Sequence, residues 1–376
     1  PAPEAMVGLA GHDFVSLATS APRAVLVRAR RVDGTPTVPA RWLTRLEALL
    51  EGRLGAEAAR LSPARDPAGF DWGGIARAID RDAERRPDAR PAPCPPVAAR
   101  PRSLSVTEVE TWIKDPYAIH ARHVLGLQPL DPIDAQEDQR RFGQIVHAVL
   151  ERFTRAVAAH GWPADPYEAI GREADAVFLE FPSRAGIVAL WRPRIERLSR
   201  WFVEHEGEAL REASVLLTEQ RGVAEFPGPA GSFRLRARAD RIDLLPDHGA
   251  ALVDYKTGAL PSLTDVQKGF SPQLPLEALL VERGGFEAAR GAQVVAMRYL
   301  RVTGASVPAE ARDACKGDVR GAIDTAAAGF ARLVARYDDP AQPYHPRLFP
   351  AKADRYARYD HLSRIASWSA PGAEEP

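Results

Sequence analysis

The sequence predicts an α/β domain, a mixed sheet flanked by helices, with a smaller unit upstream of it. Three observations predict this. Apolar residues recur at helical spacing through long stretches up to residue 212. Three alternating segments follow one another between residues 213 and 256, and a helical segment and one more alternating segment come after them. A proline-rich stretch at 85–102 separates all of this from what precedes it.

Taken in order, residues 1–84 form the smaller unit. There "PRAVLVRARR" (22–31) alternates as a strand and "VPARWLTRLEALLEGRLG" (38–55) has helical apolar spacing. The prolines of "RRPDARPAPCPPVAARPR" (85–102) remove backbone donors and favour extended chain, so this stretch reads as a linker. The main domain, 103–376, opens with "SLSVTEVETWIKDPYAIHARHVLGL", where Ser105 or Thr107 caps a helix running through Trp112. Asp115-Pro116 interrupts that helix, because proline restricts the residue before it. Helices are expected over 142–160 and 187–212, then strands over 213–226, 232–245 and 250–256, the last two joined by the turn "PDHGA". A helix over 272–283, a strand over 292–302, a long helix near 316–337 and a polar tail complete the chain.

Bulk composition excludes several classes. A chain of 376 residues, 45% hydrophobic and 27% charged, has the make-up of a globular protein large enough for two domains. No run of about 18 apolar residues occurs, so no membrane span is expected. Asp13, Arg23 and Arg28 break any secretory-signal layout in the first thirty residues, and a start on Pro rather than Met reads as a piece of something longer. The two cysteines, Cys94 and Cys315, are too few for a four-cysteine zinc or iron–sulfur site and too far apart for a disulfide framework, so a reducing cytoplasm is the expected setting. Lys+Arg and Asp+Glu are equal at 50 each, so nucleic-acid binding would have to use a local groove. The absence of G-x-x-x-x-G-K-[ST] leaves no phosphate loop for ATP.

Chemistry concentrates around "AALVDYKTG" (250–258). Side chains alternate along a strand, so Asp254 and Lys256 point the same way, about 7 Å apart. "RADRID" brings Asp240 and Asp243 to the end of the preceding strand, and the hairpin sets Asp240 beside Asp254. Converging carboxylates repel unless a cation sits between them, and Mg²⁺ or Mn²⁺ is the natural occupant. A solvated strand end explains D-x-K equally well on its own. In "GQIVHAVLERF" Gly143 and His147 share a helix face, with Gly143 allowing close approach of another backbone; a packed core histidine is the competing reading. Gln273 and Glu277 share a face of the later helix, which by itself reads as amphipathic with Gln outward. Arg234, Arg236 and Arg238 line one strand face, either as a phosphate-binding row or as a solvated surface. Glu219 in "LTEQRG" is a further acid that could reach the metal.

The order of these pieces, helix G-x-x-x-H, strand ending in Asp, strand D-Y-K-T-G and helix with an early Gln, resembles the RecB-type branch of the PD-(D/E)XK nuclease superfamily. The resemblance implies a restriction-endonuclease-like core and metal-dependent hydrolysis of DNA phosphodiesters. It implies His147, Asp240, Asp254 and the carbonyl of Tyr255 as Mg²⁺ (or Mn²⁺) ligands, and Lys256 positioning the attacking water. Asp240, Asp254, Lys256 and Gln273 would be catalytic, with Arg236, Arg238 and Gln273 touching DNA. Gln273 matches the family's Q-x-x-x-Y helix, but Glu277 stands where the Tyr usually does. Stretches 8–50, 105–132 and 272–280 further resemble the AddB family of nuclease-bearing subunits of bacterial AddAB helicase–nucleases. That likeness implies that 1–84 end an inactive helicase-like domain and that the motor parts lie outside this chain. It also implies an AddA-like helicase partner, with the ends of broken DNA and the single strands unwound from them as substrate. Many such subunits hold an iron–sulfur cluster whose first cysteine opens a C-P-F-type motif. Here that motif reads Asp115-Pro116-Tyr117, so no cluster is expected and packing by Trp112, Tyr117 and 118–125 must secure the region. Two rival readings remain: a nuclease-like module that grips DNA or bridges subunits without cutting, and a structural piece that folds only inside a larger complex.

Overall fold

A computed structural model describes residues 3–55 except 23, 25, 30 and 33, then 72–79, 89–128, 139–180, 185–352 and 358–369. The chain divides into two compact units, Pro1–Arg86 and Pro87–Pro376.

The first unit holds helices α1 (Pro3–Thr19), α2 (Arg41–Leu54) and α3 (Trp72–Ile79), with a two-residue pair, β1 (Arg31–Val32) and β2 (Thr35–Pro36). The helix expected over 38–55 forms as α2. Of the strand expected over 22–31, residues 23, 25 and 30 lie outside the described residues; among the described ones 24 and 26–29 join no ladder and only Arg31 does. Its partner strand is two residues long and ends on Pro36, which has no N–H to donate, so the ladder has nothing to extend along.

The second unit is built on a mixed sheet. Its strands are β3 (Ser103–Ser105), β4 (Val215–Phe226), β5 (Phe233–Leu244), β6 (Gly249–Lys256), β7 (Gln293–Val302) and β8 (Ala309–Asp313), in the order β3-β5-β6-β7-β8 with β4 also on β5. β4, β5 and β6 form an antiparallel run, whereas β6 and β7 are parallel. A parallel neighbour demands a crossover, and α9 (Leu263–Gln267) and α10 (Gln273–Glu282) supply it. The turn at 246–250 closes with the Leu245 N–H donating to the Gly249 carbonyl at 2.8 Å, while His248 takes the left-handed conformation at φ 63°.

Two apolar layers sandwich the sheet. One draws on α4 (Val106–Lys114), α10 and α11 (Val319–Asp338); the other on α6 (Gln139–His160), α7 (Pro166–Glu180) and α8 (Ala185–Glu212). Buried on both faces, β6 reads as an apolar run rather than an alternation. Ser105 is the N-cap of α4 and forms a capping box with Glu108, leaving Thr107 inside the helix. Pro116 starts a new short helix, α5 (Pro116–Ile119), that runs into a wide turn over 120–124. Trp112 is buried between Phe233 and Tyr337, with ring centroids 5.7 and 4.8 Å away, and the Tyr117 N–H donates to the His345 carbonyl at 3.2 Å.

Of the proline-rich stretch, residues 85–88 lie outside the described residues; the rest is irregular chain with one helical turn at Val97–Ala99, and it is no free tether. Arg90 donates to the carbonyls of Pro346 and Arg347. Arg100, 4% exposed, donates to the carbonyls of Tyr337, Asp339 and Pro340 at 2.8, 2.8 and 3.0 Å. A guanidinium there satisfies the orphan acceptors at the end of α11 and complements its dipole, which fixes the segment to the second unit.

Candidate active site

The site lies where β5 and β6 leave their shared ladder. On β5 the residues of the α10-side core are Phe233, Leu235, Ala237 and Ala239, and then Ile242, so the alternation changes phase after Ala239. β4 changes phase opposite it, and the β4–β5 register skips the Glu219–Asp240 pair. Glu219 is the cause: it is a non-glycine residue at φ 51°, a strained conformation in mid-strand. The kink turns Glu219 and Asp240 together toward α6.

α6 brings His147 to meet them. Its Gly143 packs close to a side chain rather than to the backbone expected there: a Cβ would lie 3.1 Å from Thr257 Oγ1. His147 Nδ1 lies 3.4 Å from Asp240 Oδ1, and the ring stands edge-on to Tyr255 with centroids 5.7 Å apart. Asp240 also accepts a hydrogen bond from the Tyr255 N–H at 2.8 Å. One donor atom from each of His147, Glu219 and Asp240 fits within 4.8 Å of the others, the only such group of three His, Cys, Asp or Glu among the described residues.

Asp254 and Lys256 occupy the same strand end but lean toward α10. Lys256 Nζ donates to Asp254 Oδ1 at 3.0 Å and to Gln273 Oε1 at 2.8 Å, and Gln273 Nε2 donates to Asp254 Oδ1 at 2.6 Å. Gln273 Nε2 also donates to Glu277 Oε1 at 3.1 Å. The two halves feel each other. Burial would lower the His147 imidazole, but the Asp240 carboxylate, with Asp254 and Glu219 beyond it, holds it above its ordinary value. Burial would raise Asp240, but His147, the Tyr255 amide and the Lys256 charge hold it low. Burial pushes Asp254 up to about 6 against the pull of Lys256, and raises Glu219, aided by Asp240 and opposed by Arg238. Burial drives Glu277 well above the ordinary carboxylate range, with Asp254 adding to it.

The structure thus brings His147, Asp240, Asp254, Lys256 and Gln273 to one strand end, with Asp254 outside the tight His147–Glu219–Asp240 group. Tyr255 presents its N–H to Asp240, and its ring faces the core. Arg236 and Arg238 are exposed on the outer face of β5; Arg236 lies 3.6 Å from Glu108, and Arg238 pairs with Glu219 itself. Two expectations need correction. Asp243 does not join Asp240: the phase change points it into the core, where Arg241 binds it at 2.8 Å. α10 is not amphipathic: every residue from Leu274 to Val281, Glu277 included, is buried, and Gln273 before them is half-buried at the edge of a cleft.

A family model described as PD-(D/E)XK nuclease superfamily matches residues 103–356. The chain belongs to the PD-(D/E)XK nuclease superfamily. Similar proteins of this PD-(D/E)XK chain include the uncharacterized protein RC0550 of Rickettsia conorii, 27% identical over 189 residues, which is 50% of this chain and 23% of the relative. An uncharacterized protein of Rickettsia bellii is 26% identical over 186 residues, 50% of this chain and 22% of its own length. The chain therefore spans less than a quarter of these curated relatives. A crystal structure of SSO0001 aligns with 69% of this chain and 82% of its own at 10% identity and a TM-score of 0.27.

For a PD-(D/E)XK domain the donor set suits a divalent cation. Imidazole nitrogen and carboxylate oxygen together fit Mg²⁺ or, better, Mn²⁺, and Asp254, held at 2.8 Å by the Lys256 ammonium, stands beside them. Sequence reasoning underweighted Glu219, since nothing in "LTEQRG" marks a left-handed backbone. Among the described residues, no helix is long and apolar enough to cross a membrane.

Proposed function

We propose that this chain is a divalent-metal-dependent deoxyribonuclease module, the nuclease-bearing part of an AddB-type subunit. It would act beside an AddA-like helicase subunit on the ends of broken DNA. The observation that carries the reading is the meeting of His147, Asp240, Asp254 and Lys256 at the ends of β5 and β6. Asp240 lies 3.4 Å from His147 and accepts from the N–H of Tyr255, the residue between Asp254 and Lys256, whose side chains are themselves 3.0 Å apart.

In this reading His147, Asp240 and Asp254 hold Mg²⁺ or Mn²⁺, with Glu219 as a further carboxylate and the Tyr255 carbonyl available beside them. The ion supplies Lewis acidity, which makes water nucleophilic at neutral pH and offsets charge on the phosphoryl oxygens. Lys256 is fixed from two sides by Asp254 and Gln273, so its remaining N–H is pre-aimed at the attacking water or at the oxygen where charge develops. The raised pKa of Lys256, due to Asp254 against the effect of burial, keeps it cationic for that task.

A cleft of about 860 Å³ opens beside Lys256 and Gln273 and is lined by Lys114, Arg122 and Lys352 among others. Glu108, which lines it, lies 3.4 Å from Arg122 and 3.6 Å from Arg236, so cleft and arginine row adjoin. A single strand laid along them would reach the site with its phosphates against cations. Replacing Arg236 and Arg238 with Ala is expected to weaken binding of all DNA sequences alike. The double variant should flatten the slope of log K against log[salt] by about 1.4 to 2. An unchanged slope would remove the row from the interface.

The direct test incubates the chain with single-stranded DNA in Mg²⁺, Mn²⁺ or EDTA. Cleavage in either metal that stops in EDTA is the expected result. DNA binding without cleavage in both metals would overturn the reading in favour of a non-cutting module.

A further inference from the structure

Glu277 is the one acid of α10 that a packing argument would not put there. It is 1% exposed in a helix buried on every side from Leu274 to Val281, where a leucine would pack better. Its carboxyl is one residue removed from the Asp254–Lys256 pair, through the side chain of Gln273. A primary amide can be turned end for end, and the two orientations do opposite things here. With Oε1 toward Lys256 it accepts from the ammonium; with Nε2 there it would face a cation with a donor. Lys256 and Asp254 already favour the first orientation. Glu277 completes it, because its Oε1 accepts from Nε2, the group that also serves Asp254. Positions 273 and 277 are one helical turn apart, so the helix itself holds the acceptor under the amide.

We propose that Glu277 is a positioning residue, which locks the Gln273 amide and through it fixes Lys256 and Asp254 in the geometry needed for cleavage. This rests on the nuclease reading above. The residue touches neither substrate nor metal; it acts at the second remove, as an acceptor in a place that offers no water. An acceptor of the same shape should therefore replace it, and an apolar side chain should not.

The test compares Glu277→Gln and Glu277→Leu with the unmodified chain, measuring kcat, KM, Mn²⁺ affinity, melting and the side-chain amide signals of Gln273 by ¹H–¹⁵N NMR. Glu277→Gln is expected to keep kcat within about threefold, since its carbonyl accepts the same hydrogen bond. Glu277→Leu is expected to lower kcat by roughly 10²-fold, the scale of a small misplacement at a reacting centre. KM should stay within about twofold, Mn²⁺ affinity should fall by roughly tenfold because Asp254 loses part of its support, and the variant should melt no lower than the parent. Its Gln273 amide protons should lose the exchange protection seen in the parent and in Glu277→Gln. A Glu277→Leu chain that cuts at the parent rate, or a Glu277→Gln chain as slow as Glu277→Leu, would overturn the proposal. If the parent itself does not cut, the nuclease reading fails, and the amide signals alone decide whether Glu277 holds Gln273: unchanged protection in Glu277→Leu would refute it.

Discussion

Asp254→Ala is expected to lower metal-dependent cleavage by more than about a hundredfold and to leave the metal-free fold intact. The first half follows from position. Asp254 lies two residues before the end of β6 and is 2% exposed, and it is the shared acceptor of Lys256 and Gln273. Its removal takes away a carboxylate from the proposed metal site and one of the two fixed points of Lys256. The second half follows from the sign of its pKa shift. Folding moves the carboxyl from the ordinary 3.8 up to about 6 because burial penalises its charge. The folded state therefore binds the proton more tightly than the unfolded one. Stability falls as pH rises through that window, and at neutral pH the ionised group opposes folding. Alanine relieves that cost but also takes from the buried Lys256 ammonium the charge that favours it; with the hydrogen bond to Gln273 kept, the two changes offset. Cleavage rates in Mg²⁺ and Mn²⁺, with melting curves of the EDTA-treated protein, check both halves. A variant that cuts at the parent rate would place the chemistry elsewhere.

Much of this site was legible because two periods fix where side chains go. A strand period of two puts Asp254 and Lys256 on one face, and the salt bridge at 2.8 Å is the result. A helical spacing of four puts Gly143 and His147 on one face, and a Cβ at 143 would crowd the Thr257 hydroxyl at 3.1 Å. The long elements α6, α8, β4, β5 and α11 declared themselves in the same way, whereas α10, buried on every side, carries no such period. Short ones did not: β3 and β8 have 3 and 5 residues, too few to show a period. α7 also passed unseen, although the Asp165 carboxylate caps it by accepting from the Glu168 N–H at 2.9 Å. The deeper misses share one origin. Glu219, Asp243 and Glu277 are acids whose placement depends on tertiary surroundings: a kink that no residue type announces, a buried arginine, and a helix wrapped on all sides. Charge alone reads them as solvated, and only burial reveals that each is held by a partner.

The largest effect on stability is expected at Arg241. This guanidinium is fully buried and donates to Asp243 at 2.8–3.0 Å, to Glu206 at 2.7 Å and to the Tyr255 hydroxyl at 3.4 Å. It ties β5 to α8 and to β6 beneath the site. Arg298 also reaches Glu206, at 3.1 Å, but Asp243 depends on Arg241. Arg241→Met keeps the volume and removes the charge, leaving a buried carboxylate without its partner. Breaking such a pair costs about 3–5 kcal/mol, which for a domain of this size lowers the melting temperature by roughly 10 °C. Desolvation, not lost attraction, dominates that figure, so a compensating change should recover it: Arg241→Met with Asp243→Leu replaces the pair by apolar groups and is expected to regain at least half of the loss. Thermal melting of the two variants decides it. A single variant melting within about 2 °C of the parent would mean that water reaches the cluster and that the carboxylates never lacked solvation. The consequence would extend to function, because the Tyr255 ring that Arg241 holds is the surface on which His147 rests.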